Sequence, residues 1–408
     1  MNESRTDRPQ TIFADFGEPP QLDPVIRHET TDYGWRGLTL DGEILEVRSK
    51  NGHKATLPEG NIIVALNGKA IGQRKLTNDP SIDIDDYLLQ FNRVVALYRE
   101  NQIEAALQAA NAAIAIAPTL RARFNRAMLL LAAGDWRTGF EQYEKCEDFA
   151  PFMRPQVRAA LDAGMRPWRG ENINGKRILL LHAHGFGDSI MCLRYVPMLE
   201  AMGAIVSLDL PRELDGLLDD YMPSGEPVDY FCPLLHLLGR LYVSPDACLS
   251  GPYLDVDPER VAEWRERLGS SSSSRKRIGI AWSIGKPSIG DYPREIDVEE
   301  LLAHLDPEAE IYSVQAQLPR PSARTGRTRT FGFENFGDCA ALMLCLDEII
   351  SVDTAAVHLA GAIGHPNVKL LLSHWHSWRW RKKWYENVTL CKQTSPGDWA
   401  SALAQVSP

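Results

Sequence analysis

The stretch RILLLHAHGFGDSIMCLRYVPMLEAMGAIVSLDL, residues 177–210, decides how the rest of the chain is read. The run Ile178-Leu179-Leu180-Leu181 is unbroken and short, the pattern of a strand buried on both faces. A glycine-punctuated turn follows, His184-Gly185-Phe186-Gly187-Asp188. Ile190, Leu193, Val196 and Met198/Leu199 then recur at helical spacing until Gly203 stops them, and 204–210 reads as the next strand. Strand, helix and strand make a βαβ unit whose first turn carries a carboxylate, Asp188, at the helix entrance. In open parallel sheets such turns lie beyond the carboxyl ends of the strands, where ligands bind.

The turn is not a dinucleotide fingerprint, because Ile190 stands where G-x-G-x-x-G requires its third glycine. Gly185 and Gly187 still permit a tight backbone next to a ligand. Asp188 itself reads two ways, as a helix cap or first-turn acid and as a catalytic carboxylate. A counterpart lies far downstream in Ser351-Val352-Asp353-Thr354-Ala355-Ala356-Val357-His358-Leu359-Ala360-Gly361-Ala362. A strand ends there in an acid, and a hydroxyl residue with two alanines opens a helix. Free N–H groups and the positive end of the helix dipole suit such an entrance to phosphate. His358 falls one turn in, on the face of Thr354. A capped core helix accounts for the apolar positions but less readily for His358.

A third loop, Ala281-Trp282-Ser283-Ile284-Gly285-Lys286, leads into Asp291-Tyr292-Pro293-Arg294. It is no Walker A loop, since Ile280 replaces the first glycine and Pro287 follows the lysine. Lys286 and Arg294 read either as a diphosphate clamp or as solvent-facing charges. The aromatic and basic run at 374–385, HWHSWRWRKKWY, suggests a cleft lining that stacks on a sugar or base, the alternative being a tail packed on its own domain. The pairs His182/His184 and His374/His376 lack the Cys, His or carboxylate context of a zinc site and read as structural histidines.

Bulk properties narrow the classes. A chain of 408 residues exceeds a single core and implies two or three domains. Its formal charge of −10 argues against a general nucleic-acid binder, which needs excess Lys and Arg. Seven scattered cysteines with no C-x-x-C pair fit reduced thiols rather than a disulfide framework. The polar opening Met1-Asn2-Glu3-Ser4-Arg5 has no signal-peptide core, and no apolar run approaches the ~20 residues that span a bilayer. A cytoplasmic protein is expected, with any membrane association peripheral, at the inner face.

Taken in order, residues 1–83 predict a small β module, with strands at 43–47 and 61–66 separated by Asn51-Gly52 and Asn67-Gly68 turns. Residues 84–165 turn helical and repeat at an offset of 33: Phe91-Asn92-Arg93 recurs as Phe124-Asn125-Arg126, Pro118 as Pro151, and Asn101 maps onto Gly134. That period with paired helices is tetratricopeptide-like, a spacer or a partner-binding groove. The first α/β lobe is expected over 166–269, the serine run 270–274 is a linker, and a second lobe follows over 275–408. In that lobe strands are predicted at 277–282, 310–314, 348–352 and 368–372, with helices at 298–304, 339–345 and 355–363.

In combination, the motifs Gly-Phe-Gly-Asp-Ser-Ile at 185–190 with Arg194-Tyr195, Gly279-Ile280-Ala281-Trp282, the 351–362 segment and Ser377-Trp378-Arg379-Trp380 resemble the heptosyltransferase-like family of GT-B glycosyltransferases, in its tetratricopeptide-fused branch. The resemblance covers about residue 84 to the C-terminus and leaves the β module outside. It implies an α/β fold of two Rossmann-like lobes, with a nucleoside-diphosphate sugar held by the C-terminal lobe and the acceptor (a glycan, lipid-linked or protein hydroxyl) against the N-terminal one. It implies inverting transfer of a heptose or hexose-like sugar, without cofactor or required metal. By motif match Asp188 falls where the family has its general base. Thr354, Ala355 and His358 fall in its donor-diphosphate motif with Asp353 beside them, and Lys286 and Arg294 in a donor-contacting loop whose wording departs from the family's. The rival readings are a non-catalytic scaffold or nucleotide-sugar-binding protein, and a sugar-nucleotide epimerase or hydrolase.

Overall fold

The computed structural model describes residues 21–31, 34–40, 43–48, 61–66, 69–76, 79–148, 153–218, 227–241, 251–269, 275–284, 293–315 and 327–406. Both Asn-Gly turns, the serine linker and Lys286 lie outside them. The chain divides into two compact units, Met1–Tyr98 with Gln102–Leu129 and Arg99–Asn101 with Leu130–Pro408.

The first unit holds strands β1 (Gln21–Thr31), β2 (Gly34–Thr39), β3 (Ile44–Arg48), β4 (Asn61–Leu66) and β5 (Lys69–Leu76), in one sheet of order β3-β2-β1-β5-β4. The expected β module is therefore present. Helices α1 (Ile84–Arg99) and α2 (Ile103–Ile116) follow, then α3 (Leu120–Ala133), most of which belongs to this unit. Leu38 packs with Ile82, Ile84, Tyr87, Ala113, Ala117 and Ala122, so sheet and helices share one core. The buried Tyr87 hydroxyl bonds Thr119 Oγ1 at 2.8 Å.

The offset of 33 has a local counterpart. Asn101 and Gly134 end α1 and α3 with φ of 60° and 92°, the left-handed conformation that stops a helix and that Gly and Asn tolerate. Beyond Gly134, α4 (Trp136–Glu147) starts at Asp135, whose side chain accepts from Thr138 N at 3.2 Å, and α5 (Pro155–Asp162) starts at a proline.

The second unit carries two parallel sheets. In the first lobe β6 (Arg177–Leu181) is followed by α6 (Phe186–Leu193), α7 (Val196–Ala201) and β7 (Ile205–Asp209). The single helix expected here is broken at Arg194-Tyr195, because Pro197 has no N–H to continue the ladder. β8 (Tyr230–Pro233) was not foreseen; it completes the order β7-β6-β8, and all four of its residues are buried. After it come α8 (Leu237–Leu241) and α9 (Pro258–Leu268).

The second lobe contains β9 (Arg277–Ala281), α10 (Val298–Ala303), β10 (Glu310–Ser313), β11 (Thr328–Arg329), α11 (Phe336–Met343), β12 (Glu348–Val352), α12 (Ala355–Ala362), β13 (Val368–Leu372), β14 (Val388–Lys392) and α13 (Trp399–Leu403). Its sheet runs β11-β10-β9-β12-β13-β14 with every pairing parallel. In lobe order that is 3-2-1-4-5-6, the doubly wound arrangement, with its reversal between β9 and β12. The crevice at the carboxyl ends of those two strands is where such sheets take ligands. The fold is thus α/β with two Rossmann-like lobes, preceded by helices and a small β module.

Candidate functional site

Two helix entrances meet. Asp188 occupies the third position of α6, and its Oδ2 accepts from Gly185 N at 3.4 Å, so it does act as a first-turn cap. Across the lobes stands the start of α12, where Thr354 is the N-cap and accepts from Ala356 N at 3.3 Å. Gly187 lies between them: a methyl group there would sit 2.9 Å from His358 Cδ2 and 3.5 Å from Ala355 Cα. The expected close approach is therefore real, but its object is another helix. The residue that must be small is Gly187, and the atoms that demand it belong to α12.

Asp188 has a partner that sequence reasoning missed. Arg379 Nε donates to Asp188 Oδ1 at 2.6 Å, across 191 residues of chain. Burial pushes the Asp188 pKa up, but the charge of Arg379 and its hydrogen bond outweigh this and hold the carboxyl below its ordinary value. Arg379 sits on a short 3₁₀ turn, Trp378–Arg381; its NH1 donates to Ser377 Oγ at 3.1 Å and its guanidinium lies over the Trp378 ring at 4.7 Å.

That turn corrects the reading of the aromatic run. Trp378, Trp380, Trp384 and Tyr385 are all buried, so their faces pack on the protein and are not offered to a ligand. Trp380 stacks on His358 with ring centroids 4.8 Å apart. Trp378 meets Phe140 and Trp136 of α4 edge-on. Arg194, itself buried, donates to Trp384 O at 2.8 Å and lies over the rings of Tyr253, Trp384 and Tyr385. The large apolar area of these rings is what makes burial the favourable outcome. The run straps the C-terminal lobe to α4 and to the first lobe.

His358 is buried, and its Nδ1 lies 3.0 Å from the Tyr385 hydroxyl. Burial pushes its pKa down to about 3; Asp188 pulls the other way, while Arg379, Arg194 and Arg294 reinforce the fall. His376, also buried, is pushed down to about 4. An unfolded imidazole takes its proton near pH 6.5, so these groups support the fold fully above that pH and less as pH falls below it. Each is expected to remove about 1.4 kcal/mol of stability per pH unit below 6.5. Urea midpoints should fall between pH 7 and pH 5, and a His358→Gln variant should show a shallower fall; equal slopes would exclude His358 as a contributor.

The remaining expected donor residues gather at the sheet's reversal. Arg294 NH1 donates to Asp353 O at 3.3 Å and lies 4.0 Å from Asp353 Oδ2. Gln315 Oε1 accepts from Trp282 N at 2.7 Å and from Ser283 N at 2.9 Å, fixing the loop that leaves β9. Thr354 and Ala355 are half-buried, whereas Asp353 is buried. Asp353, Thr354, Ala355, His358 and Arg294 are thus brought together. Lys286, outside the described residues, is not placed.

A second cluster lies behind the Asp188 turn. Glu147, the last residue of α4, accepts from His236 Nε2 at 2.8 Å, from His184 Nε2 at 3.1 Å and from Arg154 Nε at 3.2 Å. The Tyr143 hydroxyl is also 3.1 Å from His184 Nε2. Glu147, His184 and His236 offer two imidazoles and a carboxylate to a metal. Tetrahedral ligands at ~2.0–2.1 Å from zinc would stand about 3.3 Å apart; the shorter contacts and the Arg154 cation fit hydrogen bonding better. Burial pushes the Glu147 pKa up, but the bonds to His184 and His236 and their charges hold it well below the ordinary carboxylate range. Of the other histidines in the two expected pairs, two are likewise bonded: His182 Nδ1 to Ser189 Oγ at 2.8 Å and His376 Nδ1 to Ser373 O at 3.2 Å.

No protein-family model matches the chain. It is 25% identical over 367 residues to Protein FlbA of Caulobacter vibrioides, a match covering 78% of this chain. The chain spans 60% of that protein's length. Two solved structures are similar at low level. The glycosyl transferase family 9 structure from Veillonella parvula has a TM-score of 0.43 and 12% identity, covering 55% of this chain and 88% of its own. E. coli ADP-heptose lps heptosyltransferase II has a TM-score of 0.37 and 14% identity, covering 56% and 97%. Similarity of this degree leaves function to the residues of the site. Among the described residues no helix is long and apolar enough to cross a membrane.

Proposed function

We propose that the two α/β lobes transfer a sugar from a nucleoside diphosphate to an acceptor hydroxyl, with inversion at the anomeric carbon. The observation that carries this reading is the meeting of Asp188 with the start of α12 at Gly187, which sets a carboxylate beside an anion-favouring helix entrance bordered by Arg294. The acceptor oxygen attacks the anomeric carbon, its proton passes to Asp188, and the bond to the diphosphate breaks. The departing charge is met by the N–H groups after Thr354 and by Arg294, with Lys286 assigned to the same loop. These groups supply positive potential without a required metal. The sugar is taken to be a heptose or hexose-like, and the helical pairs to offer a surface for a protein partner.

One observation favours the scaffold reading. An acid bonded at 2.6 Å to an arginine is a stable ion pair as well as a base at rest. Incubation with a panel of nucleoside-diphosphate sugars, followed by mass spectrometry for transfer product and released diphosphate, separates the two. Donor-dependent product that disappears in Asp188→Asn is expected; nucleotide binding without turnover of any donor would favour the scaffold.

A further inference from the structure

We infer that Arg379 exchanges partners, leaving Asp188 for the donor diphosphate, so that loading the donor frees the base. The inference rests on the glycosyltransferase reading and adds a ligand for the diphosphate and an order of events. It begins from a conflict within the site. A carboxylate held in a charge-assisted bond at 2.6 Å is a poor proton acceptor, yet Asp188 is the carboxylate at the turn.

The geometry allows the exchange. The Arg379 and Asp188 side chains keep 21% and 17% of their exposure, whereas Arg194, the other arginine between the lobes, keeps 1% for the whole residue. Arg379 is therefore a partly accessible tip on a fixed base, since Trp378 and Trp380 on either side are buried. It meets Asp188 through Nε and Ser377 Oγ through NH1, in place of the two-pronged fork that makes arginine–carboxylate pairs strongest.

Its second partner is close. Trp380 stacks on His358 one turn into α12, so the turn carrying Arg379 is fixed to the helix that starts at Thr354. Arg294 already lies at that start, on Asp353. Both guanidinium groups act on His358 in the first turns of α12, and each lies against an acid, Arg294 on Asp353 and Arg379 on Asp188. A diphosphate carries more charge than either carboxylate and matches guanidinium forks with several oxygens. Its arrival draws Arg379 off Asp188 and restores the proton affinity of that carboxylate. No covalent step is added; one ion pair is traded for another.

Titration calorimetry of the full chain with ADP, GDP, UDP and CDP tests this on wild type, Asp188→Asn, Arg379→Gln, Arg379→Lys and the double variant Asp188→Asn/Arg379→Gln. For the nucleotide that binds wild type, Asp188→Asn should bind about 3–5-fold tighter, because the competing carboxylate is gone. Arg379→Gln should bind about 10–100-fold weaker, with Arg379→Lys between, and the double variant should match Arg379→Gln. A nucleotide that binds wild type, Asp188→Asn and Arg379→Gln equally would overturn the exchange and leave the transferase reading standing. Absence of binding by all four nucleotides to wild type and to Asp188→Asn would overturn both.

Discussion

Asp188→Asn is expected to lower kcat by about 10²–10⁴-fold, the range for removing a positioned general base. The substitution suits the question because it is nearly isosteric. Asp188 caps α6 by accepting from Gly185 N, and an Asn side-chain oxygen accepts the same bond. What disappears is the negative charge and the capacity to take a proton. The helix start loses about 0.3–1 kcal/mol and the ion pair with Arg379 is lost as well, so the folded state of the variant is checked directly. The loss should fall on kcat, while nucleotide affinity should rise about 3–5-fold if, as inferred above, the carboxylate competes with the diphosphate for Arg379. Kinetics at saturating donor beside a thermal melt give the readout, and an unchanged kcat in a folded variant would remove Asp188 from the reaction.

Glu147→Ala is expected to destabilise the unit that carries the lobes by about 3–5 kcal/mol, the range for breaking a buried charged network from one side. The carboxylate is buried and accepts from His184, His236 and Arg154; its deletion strands the buried His236, leaves His184 to the Tyr143 hydroxyl and turns the partly exposed Arg154 to water. Glu147→Gln, which keeps one carbonyl oxygen, should lose less. The sign with pH follows from the depressed carboxyl: its contribution is complete above the unfolded value near 4.5 and is lost as pH falls below it. Urea denaturation at pH 7 and pH 4 measures both effects. A midpoint for Glu147→Ala equal to wild type at pH 7 would show that the network holds nothing together. Because His184 stands four residues before Asp188, the variant should also loosen the turn that presents that carboxylate.

Much of the fold was legible because the rules involved are local. Strand β12 and strand β13 match the expected segments 348–352 and 368–372 residue for residue, since unbroken apolar runs between turn residues have few other uses. Thr354 and Asp188 were recognisable as helix starts because a cap acts within three residues of itself. Where local signals were weaker, elements were missed or merged. β8 and β14 are short strands with little periodicity, and the break between α6 and α7 turns on the single missing N–H of Pro197.

The site was half legible. Asp188 and Thr354 could be found from residue types at the ends of strands, but Arg379 entered only as a letter of the Ser377-Trp378-Arg379-Trp380 motif, with no role attached to it. Its importance comes from a contact across 191 residues. Glu147 reads as an ordinary helix residue until His184 and His236, 37 and 89 positions away, are folded around it. The aromatic run shows the same division. Its composition announced a feature, and only packing against α4, His358 and Arg194 made it a strap.

The α/β alternation, the helix caps and the carboxylate at the first turn follow from apolar period and capping chemistry, which act within a few residues and so are written along the chain. The strand order with its reversal between β9 and β12, the contact of Gly187 with α12, and the pairing of Asp188 with Arg379 belong to the folded molecule. They depend on how whole lobes pack, and side-chain shape and charge acquire partners across that distance only once the chain has folded.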